Sequence, residues 1–497
     1  MKKMGSRTSR MFGKFFLSDG SQSFGELRLK DRNTLLQLRH EGASYPPEVQ
    51  QLVLGQLHDL SRVSCLKCVW SGAWGHSWRK DEGSYFHANI FPHFVTVGPR
   101  HLEPEQPSIK AVHFTVTDIS SIFYDFDAFG HVLYPKQLIE SVVKSNKMDR
   151  EIPVGDMPQI AYFTGKRELI AIDTEIGRIS VNHCPSYNVG GPNGAFIKNR
   201  MMITITPVTP VTFDDCIERT TTLTRFLTLL AGRKQGIKSV YLDIADESAE
   251  PSIPLQLNWS FAPRGYKKNK NFEPPHPRDI PLDAVRRPEE FAAVLEDWVV
   301  RDTTWRMARA RYDMCLRKGN SYDTDRLIAA ANMFDILPKT AIPLVPEMPT
   351  EVVAAQAQCR EIFKNLRGIE RDSVMMALGR MGEPFLTKKV LHRVNIVTRH
   401  LGHEFPELAL AAKVAVQCRN YFVHGSSNVN YASIEPLMSF LTDALEFTFA
   451  ASDLIEAGWN ANSWSNGHYG GGHNFTRFRM AYNESLAALK AALGKDH

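Results

Sequence analysis

The stretch CRNYFVHG, from Cys418 to Gly425, is the part of the sequence where helical pattern and side-chain chemistry disagree. The surrounding pattern predicts a helix over residues 406–424. Pro406 suits a first helical turn, Glu407 complements the positive end of the helix dipole, and Gly425 is a common terminator.

Arg419 falls inside the apolar stripe of this predicted helix. On a wheel of about 100° per residue, the arginine aligns with four apolar side chains to within roughly 40°. A guanidinium is always charged and is rarely buried without a partner. The position therefore requires a pairing side chain, an interface or a substrate. The aligned side chains are Leu408, Ala412, Ala415 and Phe422.

His424 lies five residues after Arg419, which places it about 140° away on an ideal helix. It is also in the last turn, where helices fray, and Gly425 follows directly. The two side chains can therefore converge only at the end of the helix.

Length and charge limit the classes to which the chain can belong. Its 497 residues exceed one ordinary core, and a prior of about 150 residues per domain predicts two or three domains. The composition, with 43% hydrophobic and 23% charged residues, is that of a globular protein. The net charge of +5 does not by itself indicate nucleic-acid binding, and residues 321–497 contain 17 Lys and Arg against 18 Asp and Glu. An anionic ligand of that part needs a local basic patch.

Seven scattered cysteines suit a reducing compartment better than a disulfide scaffold. Cys65 and Cys68 form one CxxC without a second, so a zinc or redox role is the minor alternative to ordinary strand residues. No apolar run reaches the roughly 18 residues that span a bilayer. We therefore expect a cytoplasmic protein that needs no membrane, metal or cofactor.

Short β-type segments separated by turn residues dominate residues 12–259. They do not alternate regularly with helices, which favours a mostly antiparallel sandwich or barrel over a doubly wound parallel sheet. A hairpin turn is expected at 173–177, and one helix at 214–231 after an Asp214-Asp215 start. The predicted β segments are 24–38, 51–70, 85–97, 111–116, 168–182, 201–211, 239–244 and 253–259.

Helical periodicity takes over beyond Pro288. The predicted fold is multidomain α+β: a β-rich, sandwich-like or barrel-like domain at 1–260, a linker with connecting helices at 261–320, and an all-α helical bundle at 321–497. The predicted helices are 289–300, 303–316, 323–337, 351–366, 372–381, 386–401, 406–424, 433–457 and 477–493.

Arg419 and His424, with Asn420 directly after the arginine, resemble the Arg-x4-6-His motif of HEPN-domain ribonucleases. The resemblance extends to an opening helix containing Asp325-Arg326-Leu327 and to the order of helices over 321–493. With its β-rich first half, the whole chain resembles the ApeA family of prokaryotic anti-phage defence proteins.

This resemblance implies a HEPN-type bundle that acts as a metal-independent endoribonuclease, with its site formed across a dimer. It assigns Arg419 to phosphate binding and transition-state charge, His424 to proton transfer, and Asn420 to orientation. The negative helix C-terminus favours a protonated His424 and hence the acid role. A 2′,3′-cyclic phosphate product is expected. From spacing alone, Arg419 could instead pair with a carboxylate of another helix.

The resemblance also implies an abortive-infection role, in which RNA cleavage arrests growth and limits phage spread. The β-rich half would sense a phage-derived trigger and restrain the nuclease. The RNA substrate is left open between transfer, messenger and ribosomal RNA, and the expected assembly is a homodimer or higher oligomer.

Two further clusters are candidates for RNA contacts. The first cluster is basic, and it could either guide the RNA backbone or be a solvated helix face. The second is a loop whose aromatic rings could stack on bases or pack against the protein. The basic cluster contains Lys388, Lys389, His392, Arg393, Arg399, His400 and His403, of which Lys388, Lys389, Arg393 and Arg399 are the RNA-binding candidates. The loop contains Trp459, Trp464, His468, Tyr469 and His473.

Two rival functions remain open at this stage. One is a non-catalytic helical module for oligomerisation, joined to a ligand-binding or protein-binding β adaptor. The other, weaker alternative is a carbohydrate-active β domain in which Asp125 and Asp127, beside several aromatic residues, act on a sugar.

Overall fold

The structure is a computed structural model of the chain and contains two compact units, Met1–Val299 and Val300–His497. The boundary lies inside one helix, Pro288–Arg317, where the sequence pattern predicted two shorter helices. The helix continues because no proline or glycine follows Pro288 within it. The structure describes residues 9–17, 20–41, 51–71, 75–79, 83–145, 151–192, 194–245, 253–265, 274–344, 347–425, 430–467 and 470–494.

The described part of the first unit is built from antiparallel strands, with three short or medium helices before the long one. The strands are β1 (Ser9–Phe16), β2 (Gln22–Leu29), β3 (Leu35–Glu41), β4 (Leu52–Leu57), β5 (Arg62–Trp70), β6 (Gly75–Arg79), β7 (Gly83–Gly98), β8 (Ile109–Val116), β9 (Phe129–Leu133), β10 (Gln159–Phe163), β11 (Glu168–Thr174), β12 (Gly177–His183), β13 (Ser186–Val189), β14 (Ala195–Lys198), β15 (Met201–Thr206), β16 (Ile237–Ile244) and β17 (Leu255–Trp259). The helices are α1 (Ile119–Ile122), α2 (Lys136–Ser145), α3 (Phe213–Ala231) and α4 (Pro288–Arg317).

Six strands close into a barrel in the order β7-β3-β2-β1-β4-β5, with β5 pairing back to β7. Its interior is apolar, with Phe15, Leu27 and Val63 among the fully buried side chains. Strand β7 is long enough to serve two sheets, since its second half also pairs with β17. From there the sheet continues through β16, β8, β15 and β12 to β11. The expected antiparallel, barrel-like architecture is therefore confirmed.

Helix α3 follows its expected course but begins one residue earlier than predicted. Thr212, rather than an aspartate, is the N-cap, and its hydroxyl accepts a hydrogen bond from the Asp215 amide. The predicted hairpin turn joins β11 to β12, and Gly177 in it has φ +113. A side chain at that φ would be strained, which accounts for glycine at this position.

The second unit is helical and surrounds one buried helix, α11. Most side chains of α11 are buried, including three phenylalanines, and helices α5, α8, α9 and α13 pack against it. The helices are α5 (Thr324–Asp335), α6 (Thr350–Lys364), α7 (Ile369–Gly379), α8 (Leu386–Leu401), α9 (Leu408–His424), α10 (Tyr431–Ile434), α11 (Met438–Glu456), α12 (Ala461–Ser465) and α13 (Asn474–Gly494). An all-α bundle for this half is therefore confirmed.

Several helix boundaries in the bundle differ from the prediction by a few residues, and two of the differences have a clear local cause. The helix expected over 433–457 is divided into α10, a 3-10 turn at Glu435–Leu437 and α11, because Pro436 lacks the N–H that a continuous helix needs. Helix α9 begins at Leu408, because Glu407 adopts φ +55 in the left-handed region. The Glu407 carboxylate pairs with Lys490, and the Pro406 carbonyl accepts a hydrogen bond from the Tyr482 hydroxyl at 2.7 Å.

None of the helices in the described residues combines the length and the apolar character that crossing a bilayer requires.

Candidate active site

The C-terminal end of α9 brings Arg419 and His424 together. The helix ends at His424, and Gly425 adopts φ +66 while its amide donates to the Tyr421 carbonyl at 2.9 Å. In this last turn the Arg419 Nη1 atom lies 3.3 Å from His424 Nε2. The convergence that ideal helix geometry disfavours is thus achieved at the helix end, as the sequence requires.

Helix α5 supplies the partners that the misplaced arginine needs. The Asn332 Oδ1 atom accepts hydrogen bonds from Arg419 Nη2 at 3.0 Å and from Nε at 3.3 Å. One turn later the Asp335 carboxylate lies 3.5 Å from Nη2. The Arg419 side chain is 14% exposed, so these contacts hold a largely buried guanidinium with one edge toward solvent.

The remaining edge of the guanidinium faces the motif itself. Asn420 Oδ1 accepts a hydrogen bond from Arg419 Nη1 at 3.1 Å, and the same nitrogen faces His424. An arginine N–H can only donate, so His424 Nε2 is the acceptor in this contact and the ring proton then lies on Nδ1. The Arg419 guanidinium is therefore fixed by α5 on one side and contacts Asn420 and His424 on the other.

Lys389 on α8 joins the same cluster. Its Nζ atom donates to the Asp335 backbone carbonyl at 3.1 Å and lies 3.5 Å from the Asp335 carboxylate. Arg419 and Lys389 therefore share one carboxylate, which leaves one uncompensated positive charge among these three side chains. This is the local basic site that the neutral helical half was expected to need for an anionic ligand.

Sequence reasoning missed Asn332 and Asp335. They are three residues apart on α5 and so share one face of that helix, which is the available sequence signal. Nothing in the local pattern connects this face to α9, more than 80 residues later. The opening-helix residue that was noted, Arg326, is instead buried and paired with Glu446, its Nε and Nη2 atoms lying 2.7 and 2.8 Å from the carboxylate oxygens.

The surroundings of the cluster are open to solvent. His424 is exposed, and the α9 side chains Tyr421 and Val423 are 39% and 44% exposed. Tyr421 stacks on Tyr431, their ring centroids 5.9 Å apart, and Phe422 meets Tyr431 edge-on at 4.9 Å. An apolar and aromatic surface thus borders the exposed histidine.

Arg393 does not belong to a surface patch, contrary to its prediction as an RNA contact. It is fully buried, and its Nε atom donates to Ser452 Oγ at 2.9 Å while Nη1 lies 2.7 Å from a Glu456 carboxylate oxygen. Its guanidinium also lies over the Trp305 ring, 4.9 Å from the centroid. The arginine falls on the buried stripe of α8, and the core accommodates it through these partners.

The other members of the basic cluster separate into two groups. Lys388 and Arg399 are exposed on α8, as are His400 and His403 near its end. Lys389 instead contacts Asp335. His392 is partly buried, and this burial lowers its pKa, with the nearby charge of Arg393 adding to the effect. A continuous basic stripe is therefore absent from the described face of α8.

The aromatic loop is packed rather than available for base stacking. Trp459, Trp464 and His473 are buried, and both tryptophans pack around Phe475. Of the two alternatives for this loop, these residues follow packing against the protein, because their rings are part of the bundle core. His468 and Tyr469 lie outside the described residues.

The remaining candidates from the first half have structural explanations. Cys65 and Cys68 are buried in the barrel core, and burial raises the pKa of both thiols, that of Cys68 to about 12. The Asp125 carboxylate is buried and accepts the Asp127 amide at 3.0 Å, so the two carboxyl groups do not flank an open cleft. No group of three metal-ligating side chains occurs within the described parts of the chain.

The cluster at the end of α9 combines groups that can bind a phosphate with one that can transfer a proton. It contains an anchored guanidinium, a second cation, an amide and an exposed imidazole whose Nε2 atom accepts a hydrogen bond. A guanidinium stabilises phosphate charge, and an imidazole can transfer protons near neutral pH.

Two family models match the chain. The model of ApeA N-terminal domain 1 matches residues 10–298, and the model of the Apea-like HEPN domain matches residues 328–463. The first match covers the barrel and the open sheet, and the second includes Asn332, Asp335 and the motif of α9. No curated protein and no solved structure shows significant similarity to the chain.

Proposed function

Because the chain belongs to the ApeA family of anti-phage defence proteins with HEPN nuclease domains, we propose that it is an endoribonuclease that cleaves RNA without a metal ion. The observation that carries this proposal is the 3.3 Å approach of Arg419 Nη1 to His424 Nε2 on an exposed helix end. Arg419 is anchored from α5, so the pair is held together before any substrate arrives.

The proposed chemistry is attack of an RNA 2′-hydroxyl on the adjacent phosphorus. When RNA binds, Arg419 Nη1 turns from His424 Nε2 to a phosphate oxygen, and the freed Nε2 atom accepts the 2′-hydroxyl proton. The 2′-oxygen forms the new P–O bond, and the bond to the 5′-oxygen breaks. The products are a 2′,3′-cyclic phosphate and a 5′-hydroxyl. This gives His424 the base role in the free enzyme, rather than the acid role that the helix dipole alone suggested, because its Nε2 atom is an acceptor toward Arg419.

Arg419 stabilises the charge that develops on the phosphorane oxygens, and Lys389 supplies a second cation nearby. Asn332 and Asp335 act as positioning residues, since they hold Arg419 from the side opposite the histidine. Asn420 limits the rotation of the guanidinium about its last bonds through the contact to Nη1. The leaving 5′-oxygen receives its proton from a second group.

A homodimer supplies that second group in the proposed assembly. The exposed Tyr421 and Val423 lie between the two motif residues, and apolar side chains at such a position suit contact with a second copy of α9. His424 of that copy, in its protonated form, is then the general acid. The rival function, a non-catalytic oligomerisation module, uses the same surface without the chemistry.

The test is cleavage of RNA in excess EDTA by the wild type, Arg419→Ala and His424→Ala, each measured separately. Both substitutions are expected to reduce cleavage by at least about 100-fold, since general acid-base groups typically contribute about 100- to 10,000-fold. Arg360→Ala and His403→Ala are the matched controls, because both side chains are exposed elsewhere in the same unit. The controls should retain wild-type cleavage.

Thermal unfolding and light scattering on the same proteins separate loss of chemistry from loss of fold or assembly. Full cleavage by either motif variant refutes the assignment. Wild-type protein that assembles but produces no EDTA-resistant cleavage, either alone or with an extract of phage-infected cells, favours the oligomerisation module. Sequencing of RNA ends from infected and uninfected cells expressing the wild type or His424→Ala then identifies the RNA class, including transfer RNA. Comparison of the infected with the uninfected cells shows whether a phage-derived trigger is required.

A further inference from the structure

The first unit contains a cavity of about 1250 Å³, large for the roughly 300–1000 Å³ of typical small-molecule sites. Three sheets form its walls. Strands β8, β12 and β15 of the large sheet make one wall, the β9-β10 pair makes the second, and the β13-β14 pair makes the third. We propose that this cavity binds an organic anion of nucleotide size with a flat aromatic body. This inference is independent of the proposed nuclease activity.

The charge of the lining selects an anion. Arg167 and three histidines line the cavity, and no Asp or Glu is among the described lining residues. The Arg167 side chain is exposed and has no ion-pair partner among the residues that the structure describes. A permanent cation without a carboxylate partner, on a concave wall, attracts negative charge into the cavity.

The histidines show how polar groups are arranged around this cation. Both ring nitrogens of His113 have hydrogen-bond partners: Nδ1 lies 2.9 Å from Thr204 Oγ1, and Nε2 lies 3.0 Å from Asp243 Oδ2. His183 is fully buried, with Nδ1 3.2 Å from Asn199 Oδ1. Its Nε2 atom makes no hydrogen bond within the described structure. A buried polar atom without a hydrogen bond usually indicates a missing water or ligand.

The carboxylate near His183, that of Asp125, does not neutralise the positive charge of Arg167. Asp125 Oδ2 is 3.9 Å from His183 Nε2 and 3.6 Å from Lys166 Nζ, so its charge is already shared between these groups. Asp125 does not itself line the cavity. The guanidinium of Arg167 is therefore available to an incoming anion.

The rest of the lining selects a flat apolar body. Tyr187 and Phe196, on β13 and β14, are 70% and 54% exposed although both are large aromatic side chains. Phe163 on β10 presents a further ring to the cavity, stacked on Phe129 with centroids 4.8 Å apart. Exposed aromatic side chains gathered in one concavity are typical of a ligand site, whereas isolated ones are not.

Amide groups complete the site without adding charge. Gln159, Asn182 and Asn188 line the cavity, and Asn188 Nδ2 donates to the Gly194 carbonyl at 2.9 Å. Such neutral donors and acceptors fix the orientation of a ring that carries polar atoms. A metal site is disfavoured by chemistry, because nowhere in the described chain do three ligating side chains converge.

The test uses two fluorescent probes that differ in charge, with the full chain as the protein. 8-Anilinonaphthalene-1-sulfonate has an aromatic body and an anionic sulfonate, and N-phenyl-1-naphthylamine is a neutral relative. We expect one tight site for the anionic probe. Arg167→Gln should weaken that site by about 10-fold or more, equivalent to about 1.4 kcal/mol for one lost charged contact, and should change neutral-probe affinity by less than about twofold.

Arg178→Gln is the matched control, since Arg178 is exposed on β12 and does not line the cavity. It should leave both affinities unchanged. Ala161→Trp places a large ring on the β10 wall and should weaken both probes. Circular dichroism and the unfolding midpoint verify that each variant folds. The proposal is overturned if Arg167→Gln leaves the tight anionic site intact, if Arg178→Gln weakens it equally, or if no tight site exists.

Discussion

Replacing Asn332 by leucine tests whether α5 positions the reacting groups of α9. Leucine has nearly the same size as asparagine but no acceptor, so Arg419 loses the contacts of 3.0 and 3.3 Å to Oδ1. Both N–H groups share one oxygen, so the change is counted as one hydrogen bond to a charged group, about 1.5–3 kcal/mol. Asp335, at 3.5 Å and shared with Lys389, cannot replace a bond aimed at Nε.

If the guanidinium must be held in place when the transition state forms, that free energy appears in the rate. We expect kcat for RNA cleavage in EDTA to fall by about 10- to 100-fold, while KM changes little because Lys389 and the exposed basic residues still attract RNA. Multiple-turnover cleavage of a short fluorescent RNA measures kcat and KM, and single-turnover cleavage at saturating enzyme isolates the chemical step. Asn332→Asp keeps an acceptor and should retain more activity than Asn332→Leu.

The matched control is Asn395→Leu, an exposed asparagine on α8 with no side-chain contact to the motif. It should retain wild-type kcat. A folded Asn332→Leu protein with wild-type kcat would refute the positioning role, and with it the view that α5 and α9 form one site. Loss of activity with an equal loss in Asn395→Leu would show a general effect on the bundle instead.

Two further predictions concern the bundle itself. Burial, with Glu446 adding to it, raises the pKa of Asp443 to about 7, whereas an unfolded aspartate ionises near 3.9. The folded state therefore keeps a proton that the unfolded state releases, and the contribution of Asp443 to the free energy of unfolding falls as pH rises from about 4 to about 7. Asp443→Asn should remove this fall, measured as the difference between the two proteins' unfolding midpoints across that range; equal pH profiles would contradict it. Arg393→Ala should lower the free energy of unfolding by about 3 kcal/mol because it removes a large, fully buried side chain that packs on Trp305 and leaves a cavity. Arg399→Ala on the exposed face of α8 should change it by less than about 0.5 kcal/mol. Urea unfolding measures both, and equal effects would show that Arg393 does not act as a core residue.

The sequence was most informative where structure depends on neighbours along the chain. The period-2 segments of the first half and the period-3.6 segments of the second predicted the order of most strands and helices, because each pattern reflects burial of one face. The errors are local exceptions to those patterns. Pro436 divides a long helix, Glu407 delays the start of α9, and the helix Pro288–Arg317 has no residue that would end it.

Site residues were predictable only in part, for the same reason. Arg419, Asn420 and His424 lie within one helical turn or two, so their motif is visible in the sequence. Arg393 belongs to a segment with the composition of a basic patch. Its position on α8 nevertheless directs its side chain inward, to Ser452 and Glu456. A charged side chain can be exposed or buried at the same helical spacing, and the packing of the next helix decides which.

The sequence by itself therefore determined the two-part architecture, the family resemblance and the chemical groups of the motif at the end of α9. Only the tertiary structure decided what holds that motif, because Asn332, Asp335 and Lys389 come from two other helices and meet Arg419 through packing rather than through local spacing. The same holds for the cavity of the first unit, whose walls come from three separate sheets. Contacts between distant segments depend on which faces pack together, and that information is spread over the whole core.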